Sequence, residues 1–345
     1  MKKQQLQGSL LLVITALVWG VAFVAQSAGG EAVGPITFNC VRFLIGGVTL
    51  LPVIAVSDRR RNAKRASGSR RERHCLLLGG CCCGLVLAIA SLLQQLGIYY
   101  GTTAGKAGFL TSCYILLVPL LGLLFRRTCG PKVWIGVVLA TGGLYLLCVN
   151  GRLSLQYSDG LVLLCAVCFS VHILLVDHFS PMVDGVRMSA IQFFTAGVLC
   201  AVPMVCLEMG HTMQKLREWA AAFGSPEAWI AILYAGVMSC GVAYTLQILG
   251  QRRLNPTLAS LLMSLESVFS VLAGWLILEE TMTGRELGGC VLIFAAIVLA
   301  QLPSGKRQRS GKAPGAVVSI LSLCVAVPSG LGASRHQSRP LPCAS

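Results

Sequence analysis

Charged side chains are what this sequence has least of. Asp, Glu, Lys and Arg make up 12% of its 345 residues and apolar residues 55%, where a soluble domain carries roughly 25% charged residues. So few polar side chains cannot cover a water-facing surface. That excludes a soluble globular fold and makes lipid the expected solvent. Signatures of catalysis are missing as well: there is no HExxH pair, no GxSxG elbow, no pair of aspartates on facing apolar runs and no nucleotide-binding loop, so enzymatic activity is not expected. Metal-type spacing is lacking although cysteine is not. The consecutive Cys81, Cys82 and Cys83 and the Cys165/Cys168 pair have no second ligand pair at zinc-type distance, and they read as small packing residues. Neither a metal nor a cofactor is expected.

What is present is a series of ten apolar runs, at 9–27, 35–56, 75–99, 105–125, 133–149, 160–176, 189–207, 228–248, 257–278 and 287–302. They fall around the ~17–25 residues that cross a hydrocarbon core of about 30 Å. Reading the chain against itself at an offset of about 152 residues pairs Gly84 with Gly236, Gln95 with Gln247, Ala107 with Ala259, Ser112 with Ser264 and Gly136 with Gly288. Each half then holds five runs. Five is odd, so the second copy enters the bilayer from the opposite side to the first. The expected fold is an all-α membrane protein of ten transmembrane helices in two inverted five-helix repeats, at 6–150 and 157–302. Inverted repeats with a site at their interface are a transporter design, because rocking one half against the other alternates which face is open.

Lysine and arginine give the orientation. With a cytoplasmic N-terminus, the inner loops and tails hold 22 of the 28 basic residues, so both termini are expected in the cytoplasm. The same placement explains the net charge of +15. These charges sit beside apolar runs without interleaved aromatics, and no nucleic-acid partner is expected. The opening Met1, Lys2, Lys3 and first run also resemble a signal peptide, but the first repeat needs that helix to match the run beginning at 160. An uncleaved first span is preferred. Residues 303–345 form a basic tail whose apolar patch at 316–327 is too short to span a bilayer.

The stretch 101–122, GTTAGKAGFLTSCYILLVPLLG, together with the opening LLVITALVWGVAFVAQ at 11–26 and NPTLASLLMSLESVFSVLAGWLILEE at 255–280, resembles the EamA-type transporters of the drug/metabolite transporter superfamily. The likeness covers roughly residues 6–302. It implies a ten-helix bundle of two inverted halves that exports or exchanges small metabolites from the cell (inner) membrane without an ATPase domain. Ser267 departs from the pattern, since the family commonly has proline after the glutamate; the resemblance then implies a softer kink.

Glu266 is the first candidate site residue. It lies near the middle of the ninth run, where an ionised carboxylate costs about 2.5–3.5 kcal/mol on insertion scales. Such a group either binds a cationic solute, exchanges a proton for one, or joins helices by hydrogen bonding. The repeat offset sets Tyr114 opposite it. Arg42, about eight residues into the second run, either pairs with Glu266 or meets an anionic group on the substrate. Gln95 and Gln247 end the third and eighth runs at equivalent places and are expected to point inward. Lys106 opens the fourth run within AGKAG, reaching an outer vestibule or anchoring at the interface. Trp19 and Trp275 line a cavity or pack the core. His172 and Asp177 are a weaker pair for a proton relay. Gly97, Gly101 and Gly105, with Gly284 and Gly288, recur every fourth residue as helices in lipid require for close approach. The function expected is a secondary transporter for a small-molecule substrate, with a proton as possible coupling ion. A non-transporting sensor or assembly protein is the alternative.

Overall fold

A computed structural model describes residues 2–60, 70–124, 130–148, 156–210, 212–277 and 284–301, and the described residues form no strand. The expected tail and its apolar patch lie outside them. Continuous apolar sequence has only two ways to satisfy its backbone in lipid, and an open chain of this kind takes the helical one. The helices are α1 (Lys2–Val33), α2 (Pro35–Arg60), α3 (Arg70–Tyr99), α4 (Ala104–Ser112), α5 (Tyr114–Leu124), α6 (Pro131–Cys148), α7 (Tyr157–Phe179) and α8 (Gly185–Pro203). They continue with α9 (Met213–Ala221), α10 (Pro226–Leu233), α11 (Thr245–Gln251), α12 (Pro256–Met263), α13 (Leu265–Ile277) and α14 (Gly284–Gln301). Among the described residues eight helical stretches are long and apolar enough to cross a membrane, and Pro131–Leu146 and Leu287–Ala300 are shorter apolar helices.

Local sequence sets where these helices start. Proline stands first in α2, α6, α10 and α12, where its missing N–H is no loss. Asp184 accepts from Val186 N and Arg187 N at the start of α8, Asn255 from Thr257 N at α12, and Ser225 from Ala228 N at α10. Gly34, at φ 92°, turns the chain between α1 and α2. Within the eighth run α10 passes through π-helical turns at Tyr234–Tyr244 before α11. The amphipathic loop after α8 forms the short, largely exposed α9.

Two of the runs are broken in the middle. The fourth divides into α4 and α5 at Cys113, and the ninth into α12 and α13 at Ser264. At the first break Cys113 N donates to Leu110 O and at the second Ser267 N donates to Ser264 O, three residues back instead of four. The ninth run is therefore interrupted without the proline whose absence implied a softer kink.

Packing brings α6 against α14, α3 against α7 and α8, α2 against α8, and α1 against α13. Close approach comes from specific glycines. A Cβ on Gly20 of α1 would lie 2.5 Å from Phe269 Cβ and 2.8 Å from the α13 backbone, and one on Gly97 of α3 would lie 2.9 Å from Ser158 O on α7. The glycine stripe expected from the sequence is corrected here. Gly97 makes a contact of this kind, but a Cβ on Gly105, Gly284 or Gly288 would meet no described residue within 4 Å, and Gly101, at φ 112°, forms a turn.

Candidate functional site

The broken helices meet inside the bundle. Glu266, in the first turn of α13, is 3% exposed. Its Oε1 accepts a hydrogen bond from the Tyr114 hydroxyl at 2.9 Å and lies 3.2 Å from Ser112 Oγ. Ser112 Oγ is in turn 2.6 Å from Ser267 Oγ, which reaches the Gly108 carbonyl at 3.0 Å. A helix start favours a carboxylate, and the break at Ser264 supplies one in mid-bundle. The break at Cys113 does the same for Tyr114, which becomes the first residue of α5.

These residues border a cavity of about 40 Å³ lined by Trp19, Phe23, Gln26, Arg42, Gln94, Thr111, Tyr114, Phe169, Ser239, Tyr244 and Glu266, with Ala22. That is room for a few waters and far below the roughly 300 Å³ at which small-molecule pockets begin. As it stands, the cavity does not hold a molecule much larger than a few waters.

Arg42 is 4% exposed. Its guanidinium carbon lies 5.4 Å from the centre of the Phe38 ring and 5.0 Å from that of Phe43. Its Nε is buried without a hydrogen-bond partner among the described residues. The pairing of Arg42 with Glu266 that the sequence allowed is not formed: both border the cavity, and no ion pair joins them among the described residues. Trp19 Nε1 and Gln26 Oε1 also lack partners there. The cavity thus offers a cation from α2, an N–H donor and an amide oxygen from α1, and a carboxylate from α13.

Other expected site residues lie elsewhere. Gln95 is buried, but its Nε2 donates to Gln26 O at 2.7 Å and ties α3 to α1. Gln247 is buried in α11 and does not border the cavity. Lys106 does not reach the cavity either. Its Nζ lies 2.6 Å from Asp159 Oδ2 at the start of α7, where Thr102 Oγ also donates to Asp159 Oδ1 at 3.0 Å. Trp275 is 47% exposed on the outside of the bundle. His172 faces Gln192 Oε1 at 3.2 Å and the edge of Tyr244, rather than Asp177. The sequence reading missed Gln94, whose Nε2 donates to Thr111 Oγ at 3.0 Å on the cavity wall. It also missed Tyr244, whose ring centre is 4.6 Å from that of Trp19.

The family model for the EamA-like transporter family matches residues 6–149 and again 156–302. The chain belongs to that family. This EamA-like chain is 27% identical over 300 residues to an uncharacterized transporter of Archaeoglobus fulgidus, a match covering 87% of each. It is 23% identical over 291 residues to the uncharacterized inner membrane transporter YedA of Escherichia coli K12, covering 83% of this chain and 88% of the relative. A solved crystal structure matches the fold with a TM-score of 0.66 at 19% identity, covering 86% of this chain and 96% of that one. The EamA-like chain is thus a multi-pass membrane transporter, and its partners are the lipid bilayer and a small-molecule substrate.

Proposed function

We propose that the chain is a secondary transporter that exports a small metabolite or drug-like solute by alternating access, with proton exchange at Glu266. One observation carries the reading: a buried carboxylate and a buried guanidinium, whose Nε has no hydrogen-bond partner among the described residues, border one cavity beside two helices that are broken at matching places. Desolvated charges are costly unless compensated, and a bound solute, or a proton on Glu266, compensates them. The breaks at Cys113 and Ser264 fall 151 positions apart by number, close to the sequence offset. That supports reading residues 6–150 and 157–302 as two inverted five-helix repeats with the site between them. The small cavity supports a cycle in which each face opens in turn, since a solute cannot enter without helix movement.

The test compares metabolites released by cells carrying the wild type, Glu266→Gln, or an empty vector. Release by the wild type that disappears in a correctly inserted Glu266→Gln protein is the expected result. Equal release from all three, followed by no solute movement with purified protein in liposomes, overturns the reading.

A further inference from the structure

Three contacts run in series from the candidate coupling group: Glu266 Oε1 to Ser112 Oγ at 3.2 Å, Ser112 Oγ to Ser267 Oγ at 2.6 Å, and Ser267 Oγ to Gly108 O at 3.0 Å. The 2.6 and 3.0 Å contacts each need one proton between their oxygens, and the longer 3.2 Å contact is attractive only with one. A serine hydroxyl carries a single proton and a carbonyl none. The two serines therefore supply two protons for three contacts. The Tyr114 proton is already committed to its own bond with Glu266. The missing proton can come only from Glu266 itself. With Glu266 protonated, the carboxyl donates to Ser112, Ser112 to Ser267, and Ser267 to the Gly108 carbonyl, and every contact is made. With Glu266 ionised, Ser112 turns its proton to the carboxylate. Ser267 then either donates to Ser112 and releases Gly108, or keeps Gly108 and faces Ser112 lone pair to lone pair.

We propose that Ser112 and Ser267 are positioning residues forming a hydroxyl relay that reads the protonation state of Glu266 and joins α4 to α13 by three contacts with the proton aboard and by two without it. No proton moves along the chain; each hydroxyl keeps its own and rotates. The relay rests on the reading of Glu266 as the proton-exchanging group. It assigns a role to Ser267, where a proline could neither donate nor accept. It also gives the loss of the proton a mechanical consequence, because Gly108 lies on α4 and Ser267 on α13. Other ionisable or charged groups around Glu266 are Tyr114 on α5, Arg42 on α2, Cys165 on α7 and Tyr244 in the π-helical turns. Of these, Tyr114 also interacts with Ser112, while its proton closes the 2.9 Å bond to Glu266. The charged residues of α1 lie near its ends, and those of α14 in its first turn.

The experiment is infrared difference spectroscopy of the purified full-length protein in lipid between acidic and alkaline pH, needing no substrate. A carboxylic C=O band that titrates in the wild type and is missing in Glu266→Gln belongs to Glu266. Ser112→Ala is expected to move that band to higher frequency, because the acid loses a hydrogen-bond partner. Ser267→Ala is expected to move it the same way by less, because Ser112 loses its onward acceptor, and Ser267→Thr to restore it by keeping the hydroxyl. Each variant is first shown to be monodisperse and helical, and Ser267→Ala decides, because Ser112→Ala removes a direct partner of Glu266 in any case. A band that Ser112→Ala moves and Ser267→Ala does not, or that neither moves, overturns the relay while leaving Glu266 as a proton-exchanging group. The lack of any titrating band that Glu266→Gln removes overturns both the relay and the proton exchange on which it rests.

Discussion

Arg42 lies against the Phe38 and Phe43 rings, and its Nε has no partner among the described residues, so the protein holds a cation at depth by ring contact and leaves one of its N–H donors uncommitted there. Guanidinium suits that arrangement because it is planar and weakly hydrated, whereas the lysine ammonium is compact and strongly hydrated. Arg42→Lys is therefore expected to lower export by roughly tenfold, the factor that corresponds to about 1.4 kcal/mol, and Arg42→Gln to lower it further, with insertion unchanged in both. Equal export by Arg42→Gln and wild type in the release assay would remove Arg42 from the site. Glu266 and Arg42 were legible in the sequence because charge in an apolar run is rare and costly. Gln94 was not. Its neighbour Gln95 matched Gln247 in the repeat and drew attention, yet adjacent helical residues point about 100° apart. The sequence offset selected the residue, but the helix face selected its neighbour. Tyr244 stayed hidden for a related reason, since it ends a stretch of π-helical turns that shift the face predicted from a regular period.

At the scale of the helix, small residues decide how closely two axes come. Gly20 is the sharpest case, because a Cβ there would meet the backbone at Phe269 and Ser270 as well as a side chain, and backbone cannot turn aside. Gly20→Ala is expected to destabilise the protein by about 1–3 kcal/mol, the usual cost of overpacking. Gly105→Ala, with nothing within 4 Å, is expected to be neutral or to gain a few tenths of a kcal/mol from helix propensity. Thermal melting in detergent, followed by the fraction remaining monodisperse, separates the two. Matching midpoints would show that the α1–α13 contact is looser than described. The apolar runs themselves were readable, since their lengths answer to the bilayer. The i, i+4 glycine pattern misled because spacing alone does not say which face a neighbour covers. The break at Ser264 was read only through the missing proline, although serine and the preceding Ser260 carbonyl manage the interruption without one.

Across the whole molecule, the proposed inverted repeat would set two ties at related places at opposite ends of the bundle. Asp159, at the start of α7, holds Lys106 and Thr102 beside α4. Gln7, 152 residues earlier by number, accepts from Arg253 Nη1 at 2.8 Å beside α12. The proposed inverted repeat makes these counterparts, and the positive-inside reading puts the Gln7 tie at the cytoplasmic face with both termini. They differ in strength for a physical reason. The Asp159 side chain is 1% exposed, and stripping a buried ion pair of one charge costs about 3–5 kcal/mol, here toward the lower end because the Lys106 side chain is 29% exposed. The Gln7–Arg253 bond is exposed, and surface ties of this kind contribute about 0–1 kcal/mol. The outer end should therefore be the firmer of the two. Asp159→Asn is expected to speed backbone hydrogen exchange at 102–110 and 156–162 by at least tenfold, while Gln7→Ala leaves exchange at 7–12 and 253–260 within about threefold of wild type, as differences below about 1 kcal/mol imply. Exchange mass spectrometry in lipid nanodiscs reads both ends in one measurement. Equal effects at the two ends would mean that the buried Asp159–Lys106 pair holds its end no more firmly than the exposed Gln7–Arg253 bond holds the other.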